Sequence, residues 1–150
     1  MPARMTNPAM IVPDVMPTLQ GLARTLSESG LPPTTLDLVY LRASQINGVS
    51  FSIQMHTRSA KQAGETDERL SLVAAWRDST YFDEAERAAL ALAEAVTRLS
   101  DREDPVPDEV WEQATKHYDE GHLAALLVAI ATVNFWNRLN GPTRQVAAAG

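Results

Sequence analysis

The segment GHLAALLVAIATVNFWNRL, Gly121 to Leu139, constrains the fold more than any other part of the chain. Read as a helix it is apolar around much of its circumference, through Leu123, Leu126, Leu127, Ile130, Ala131, Val133 and Phe135. A helix of that kind has to be buried on several sides. A chain of 150 residues makes one ordinary domain around one core. The remaining elements must therefore wrap this helix, and part of its surface is expected to meet another subunit.

The wrapping elements also read as helices, with no convincing alternating strand. A first helix is expected from about Pro13 to Ser29, with Val15, Leu19, Leu22 and Leu26 on one face and Gly30 as its stop. After the turn Leu31-Pro32-Pro33, Thr34 or Thr35 is the expected cap of a second helix. It carries Leu36, Val39, Tyr40, Ala43 and Ile46, and Asn47-Gly48 breaks it. A third runs from about Val49 to Ala63 and ends at Gly64. Thr66 caps a fourth with Asp67 and Glu68 in its first turn, and Asp83 with Glu86 starts a fifth as a capping box. Asp101 to Pro107 is a charged linker, and Pro107 suits the first turn of a sixth helix over Asp108 to Tyr118. The expected fold class is thus all-α, a helical bundle of about six to seven helices. One domain spans 1–150, with Met1 to Asn7 as a loose tail.

Charge and composition exclude several function classes. A formal charge of −6 with no Lys/Arg cluster argues against nucleic acid as a main partner. No run approaches the roughly 20 fully apolar residues of a bilayer span, and Arg4 has no hydrophobic segment behind it, so neither a membrane nor a secretory role is expected. The expected location is cytoplasmic. The absence of cysteine excludes disulfides, thiolate metal sites and thiol catalysis within the chain. The three histidines have no grouped spacing, so neither a metal nor a cofactor is expected.

The segment Ser44 to Gly64, SQINGVSFSIQMHTRSAKQAG, carries the chemistry. It resembles the redox-motif segment of the alkylhydroperoxidase D-like proteins, within the carboxymuconolactone decarboxylase superfamily. There the run reads like S-Q-I-N-G-C-x-[YF]-C-x-x-x-H-T. The likeness extends from about Met16 to Asn140. It takes in LDLVYLRASQING before the motif, the Trp76-Arg77 pair after it, and VPDEVWEQATKHYDEGHLAALLVAIATVNFWNRLN at the end. The resemblance implies an all-α fold, a homo-oligomer built as a trimer or hexamer, and thiol-dependent hydroperoxide reduction by four groups. These are a glutamate twelve residues before the first cysteine, the C-x-x-C pair, and a histidine four residues after the second. The matching positions are Asp37, Val49, Ser52 and His56. Asp37 keeps a carboxylate on a shorter stem, His56 is retained, and neither sulfur is present.

Peroxide reduction needs a thiolate that becomes a sulfenic acid and a second thiol that resolves it. Val49 has no lone pair, and the hydroxyl of Ser52 is too basic to replace a thiolate. The chain is therefore expected to be inactive as a thiol peroxidase, whether as an engineered variant or as a cysteine-less paralogue. Two alternatives remain open. His56, oriented by Asp37, is suited to general acid–base chemistry, as a decarboxylase, a lyase or a designed proton-abstraction site. Otherwise the chain is a non-catalytic small-molecule-binding oligomer in which His56 only hydrogen-bonds within a helix junction. A Ser52–His56–Asp37 hydrolase is poorly supported, because no nucleophile elbow or oxyanion-hole motif accompanies it.

Outside this segment, His117 and His122 flank a helix break and are expected at solvent-facing termini. Trp76, Trp111, Trp136, Phe51 and Tyr40 read as core or interface residues. Phe51 and Met55, flanking Ser52 and His56, have a second reading as pocket walls. Arg138 suits a carboxylate, on a ligand or in a surface or interface ion pair.

Overall fold

The computed structural model describes residues 2–149; Met1 and Gly150, the two ends of the expected domain, lie outside the described residues. The helices are α1 (Pro8–Ile11), α2 (Val15–Ser27), α3 (Pro33–Asn47), α4 (Ser50–Gln62), α5 (Asp67–Leu72), α6 (Glu84–Thr97), α7 (Asp108–His117) and α8 (Glu120–Asn140). A 3₁₀ segment, Val73–Asp78, continues α5, and a short 3₁₀ turn, Leu99–Asp101, follows α6. No strand occurs among the described residues. The fold class is all-α, as the helical periodicity requires.

Helix α3 organises the bundle, packing against α4, α6 and α8. Its neighbouring residues Leu38 and Val39 enter different cores. Val39 joins Leu92, Ala93, Leu126 and Ile130 between α3, α6 and α8. Leu38 and Leu41 join Ala60, Leu70, Val73, Trp76, Phe82 and Leu90 beneath α5 and the 3₁₀ segment. Each such aliphatic side chain contributes about 1.5–3 kcal/mol by leaving water. The buried alanines Ala88, Ala89, Ala93 and Ala95 of α6 let its neighbours approach closely.

Helix α8 has the length and hydropathy of a bilayer span. It packs against α2, α3, α4, α6 and α7, which is the environment of a core helix. Leu126, Ala129, Ile130 and Val133 are fully enclosed, whereas Val128 and Phe135 stay exposed. One face of α8 is therefore left open.

A buried carboxylate ties α6 to its neighbours. Glu94 accepts hydrogen bonds from Arg42 Nε on α3 (2.7 Å), from Trp76 Nε1 (2.9 Å) and from Arg77. Burial alone would raise its pKa, but these three donors outweigh burial and hold the carboxyl below its ordinary value. Arg77 also lies 4.2 Å above the Trp76 ring.

Several helix ends follow the sequence. Thr66 caps α5, and the Asp83–Glu86 capping box starts α6 with both reciprocal bonds formed. Others differ from expectation. Pro13 lies in a turn separating α1 from α2, so the expected Pro13–Ser29 helix is α2 alone, Val15–Ser27, and α1 is a further single turn in front of it. Helix α3 begins at Pro33, with Pro32 rather than a threonine at the cap, because proline's fixed φ and missing N–H suit the first turn. Pro107 likewise precedes α7 as its cap. The segment expected as a tail is tethered: Arg4 N donates to Thr143 O (2.9 Å), Gln145 Nε2 to Met5 O (2.9 Å) and Asn7 Nδ2 to Asn140 Oδ1 (3.0 Å).

Candidate functional site

The Ser44–Gly64 segment forms the end of α3, a tight turn and all of α4. Gly48 makes the turn in the left-handed region, with φ 66° and ψ 34°, a conformation that disfavours any side chain. The turn closes through Gly48 N to Gln45 O (3.2 Å) and Val49 N to Ser44 O (3.1 Å). Val49 then occupies the cap position of α4, where its isopropyl group offers no oxygen to the free N–H groups of the first turn. The positive end of the helix dipole is thus directed at this seat, which is where a thiolate would be stabilised. Val49 is only 5% exposed. Gly141, just past α8, has its Cβ position 3.5 Å from Val49 Cγ2, an ordinary packing distance, so the end of α8 closes on the seat.

Ser52 and His56 lie one helical turn apart and face inward. Ser52 has no exposed surface, and its Oγ has no hydrogen-bond partner. His56 Nε2 is likewise shut off from solvent without a partner. Buried polar side-chain atoms are ordinarily paired, and such an orphan costs about 1–3 kcal/mol. Burial pushes the His56 pKa from 6.5 down to about 4, so the ring is neutral at pH 7. The Tyr40 ring lies against it, with centroids 5.0 Å apart and planes tilted by 34°.

Asp37 does not orient His56 through a hydrogen bond. Its Oδ1 accepts from Ser59 Oγ at 3.3 Å. Burial raises the Asp37 pKa, the Ser59 bond opposes that rise, and the charge of Glu65 adds to it. Burial, reinforced by the nearby Asp37 charge, pushes the Tyr40 hydroxyl up to about 12, so it stays protonated. The face below α4 therefore holds a neutral imidazole, a protonated phenol and the Asp37 carboxyl, whose pKa burial raises.

A ladder of amides supports the turn from the α8 side. Asn47 Nδ2 donates to Asn134 Oδ1 (3.0 Å) and to Asn137 Oδ1 (2.8 Å). Asn137 Nδ2 donates to Ser44 Oγ (3.2 Å), and Asn134 Nδ2 to Thr97 Oγ1 (3.1 Å). Arg138 Nη1 reaches Asn134 Oδ1 (2.9 Å). The three asparagines thus fix the last turn of α3, and with it the start of α4.

Comparison with known proteins places this arrangement. The model of the carboxymuconolactone decarboxylase family matches residues 13–95. The chain belongs to that family. Within the carboxymuconolactone decarboxylase family it is similar to the Bacillus subtilis protein YdfG, of uncharacterised function, at 35% identity over 130 residues, 87% of each chain. It is also similar to the uncharacterised Escherichia coli protein YnjA, at 30% identity over 112 residues, 75% of this chain and 60% of that one. Among solved structures it superimposes on ATU0492 of Agrobacterium tumefaciens with TM-score 0.91 and 30% identity, covering 99% of this chain and 100% of the other. That protein, of unknown function, has been suggested to be the antioxidant defence protein AhpD. The debrominase Bmp8 shares the fold, with TM-score 0.80 and 22% identity over 91% of this chain and 73% of its own. The fold of this family member is therefore AhpD-like, and the C-x-x-C positions hold valine and serine in a chain without cysteine.

Of the residues that the sequence singles out, the structure brings Ser52 and His56 together on one inward face, with Val49 at the start of the same helix. Asp37 stands beside Tyr40 and Ser59 instead. Tyr40, expected as a core or interface residue, is the site residue that the sequence did not single out. Its signal was its i, i+3 spacing from Asp37, which puts both on one side of α3. Phe51 and Met55 sit on the outer face of α4 beside Arg58, walling a shallow groove rather than the buried pair. His117 is no solvent-facing terminus: its Nε2 is shut away from water and unpartnered. His122 Nδ1 lies 3.0 Å from Asp119 at the start of α8. Trp76 is core, whereas Trp111 is exposed. Among the described residues no group of three or more His, Asp or Glu side chains is arranged to hold a metal ion.

Proposed function

We propose that this chain is a thiol-independent member of the carboxymuconolactone decarboxylase family that binds a small molecule at Ser52 and His56 and does not reduce hydroperoxides. The observation carrying this reading is the pair of buried, unpartnered atoms, Ser52 Oγ and His56 Nε2. Neither atom has exposed surface, so a ligand reaches them only when the side chains around α4 move apart. One donor and one acceptor then recover both hydrogen bonds, because the hydroxyl and a neutral imidazole nitrogen can each serve in either sense. The Tyr40 ring supplies an aromatic wall beside them.

A second reading, proton transfer by His56, has its own support. A neutral imidazole keeps its lone pair, but a base with pKa about 4 accepts protons weakly. A substrate bearing a carboxylate would offset the desolvation of the imidazolium and raise that pKa. A carboxylated carbon acid is therefore the substrate class for this reading, and lyase or decarboxylase chemistry its outcome. Antioxidant defence, suggested for ATU0492, would have to run here without a thiol.

We further propose a cytoplasmic homo-oligomer, a trimer or hexamer. Exposed Phe51 and Met55 on the outer face of α4 support association. Sedimentation at micromolar concentration tests it, and a monomeric mass sinks it.

The functional reading is tested in two arms. A cysteine-to-alanine variant of Bmp8 is in complex with 2,3,4-tribromopyrrole, so that flat, hydrogen-bonding heterocycle is the first probe. Calorimetry should show saturable binding that Ser52→Ala and His56→Gln each weaken by about tenfold or more, the loss of one buried hydrogen bond. Binding insensitive to both changes refutes the site. In the second arm, dithiol-coupled peroxide turnover should be absent in the chain as it stands and present after Val49→Cys with Ser52→Cys. Turnover by the unaltered chain defeats the thiol-independent assignment.

A further inference from the structure

The open face of α8 contains a second feature, remote in role from the Ser52–His56 pair. Val96 and Thr97 of α6, Leu99 and Ser100 of the following 3₁₀ turn, and Ala131 and Phe135 of α8 line a groove of about 410 Å³. Leu99 and Phe135 are 51% and 41% exposed, so the apolar floor is open to solvent. Arg138, also exposed, stands at this groove as its one cation among the lining residues.

Arg138 is the informative group. Its Nη1 donates to Asn134 Oδ1 (2.9 Å) and to Asn134 O (3.3 Å). Among the described residues no carboxylate lies within ion-pair distance of it. Most arginines of the chain share that lack of an ion pair, and what sets Arg138 apart is its place at the edge of an apolar groove with its guanidinium held by Asn134. Asn134 fixes one edge of the guanidinium, so the fork is held in place and its remaining N–H groups are available. A planar fork with free donors is the geometry that grips a carboxylate. The volume is within the range of small-molecule sites, roughly 300–1,000 Å³.

We propose that the α6–α8 groove is a binding site for a small amphiphilic carboxylate, with the carboxylate on Arg138 and an apolar chain or ring laid over Leu99, Ala131 and Phe135. This site goes beyond the one assigned above and does not depend on it. Charge complementarity selects a carboxylate over a neutral or cationic amphiphile. The lining, from two helices and a turn, suits a short chain better than a helix from another protein.

The test is a titration of the full-length, ¹⁵N-labelled chain with octanoate, followed by amide shifts. Saturable shifts should concentrate on Val96, Thr97, Leu99, Ser100, Ala131 and Phe135. Arg138→Gln should weaken octanoate by about tenfold or more, and 1-octanol, with the same chain and no charge, should bind the native protein more weakly by a similar factor. Equal affinity for octanol, or for octanoate in Arg138→Gln, overturns the proposal, as does failure to saturate by about 5 mM. If sedimentation shows the groove buried by self-association that Ala131→Glu abolishes, a second copy is the occupant and the proposal falls. His56→Gln should bind octanoate unchanged. If it loses binding, the probe enters the Ser52–His56 site, and this proposal fails while the functional reading stands.

Discussion

His56 lies against Tyr40, ring centroids 5.0 Å apart, and its Nε2 meets no hydrogen-bond partner. Burial in this setting lowers its pKa from 6.5 to about 4. Between those values the unfolded chain binds a proton that the folded chain refuses. Folding stability therefore falls as pH drops from about 6.5 to about 4, and this group makes no contribution above that window. At about 1.4 kcal/mol per pKa unit the full effect is about 3 kcal/mol. Urea unfolding of the native chain and of His56→Gln at several pH values checks it. The variant should show a shallower fall across the same window, and an equal slope contradicts the assignment.

Ser52→Ala should stabilise the protein. The hydroxyl is fully buried and unpartnered, so its removal relieves about 1 kcal/mol of desolvation at the cost of a very small void. Thermal unfolding reads the change. A loss of stability greater than that would mean the hydroxyl is paired in solution.

Glu94→Ala should be among the most damaging single changes. It leaves Arg42 and Trp76 Nε1 without their acceptor in a buried setting and disconnects α3 from the 3₁₀ segment. A cost of about 3–5 kcal/mol is expected in denaturant titrations. A cost below about 1 kcal/mol would show that the network is solvated.

Asp83→Ala removes the acceptor for Glu86 N (2.8 Å) and leaves the other half of the α6 capping box, from the backbone N–H of residue 83 to Glu86 Oε1 (3.3 Å), in place. The expected cost is about 1 kcal/mol. Amide exchange should quicken in the first turn of α6 and leave α8 unaffected, which localises the effect.

Much of the fold was legible because local chemistry decides it. The caps at Thr66 and Asp83 and the breaks at Gly30 and Gly48 each depend on residues within one turn. Periodicity likewise marked Val39, Leu92, Leu126 and Ile130 as core. Relations across helices were harder to read. That Asp37 meets Ser59 and Tyr40 meets His56 follows from how α3 crosses α4, which spacing along one helix does not encode. Three asparagines, 134, 137 and 140, recurring at helical spacing through an otherwise apolar segment, were a visible sign of a polar seam, though their partners Asn47, Ser44, Thr97 and Asn7 were not. The expected first helix starts two residues late, at Val15, because Pro13 and Asp14 form the turn that follows α1.

The amide ladder also bears on how this chain can change over generations. Asn47 serves Asn134 and Asn137 at once, Asn137 serves Ser44, and Asn134 serves Thr97 and Arg138. Replacing Asn47, Asn137 or Ser44 strands a buried partner, so single steps at those three positions are each penalised. Lineages that abandon it must alter several of these sites together. Those positions should therefore drift as a block, while Val49 and Ser52, which share no side-chain bond with the ladder, are free to vary independently of it.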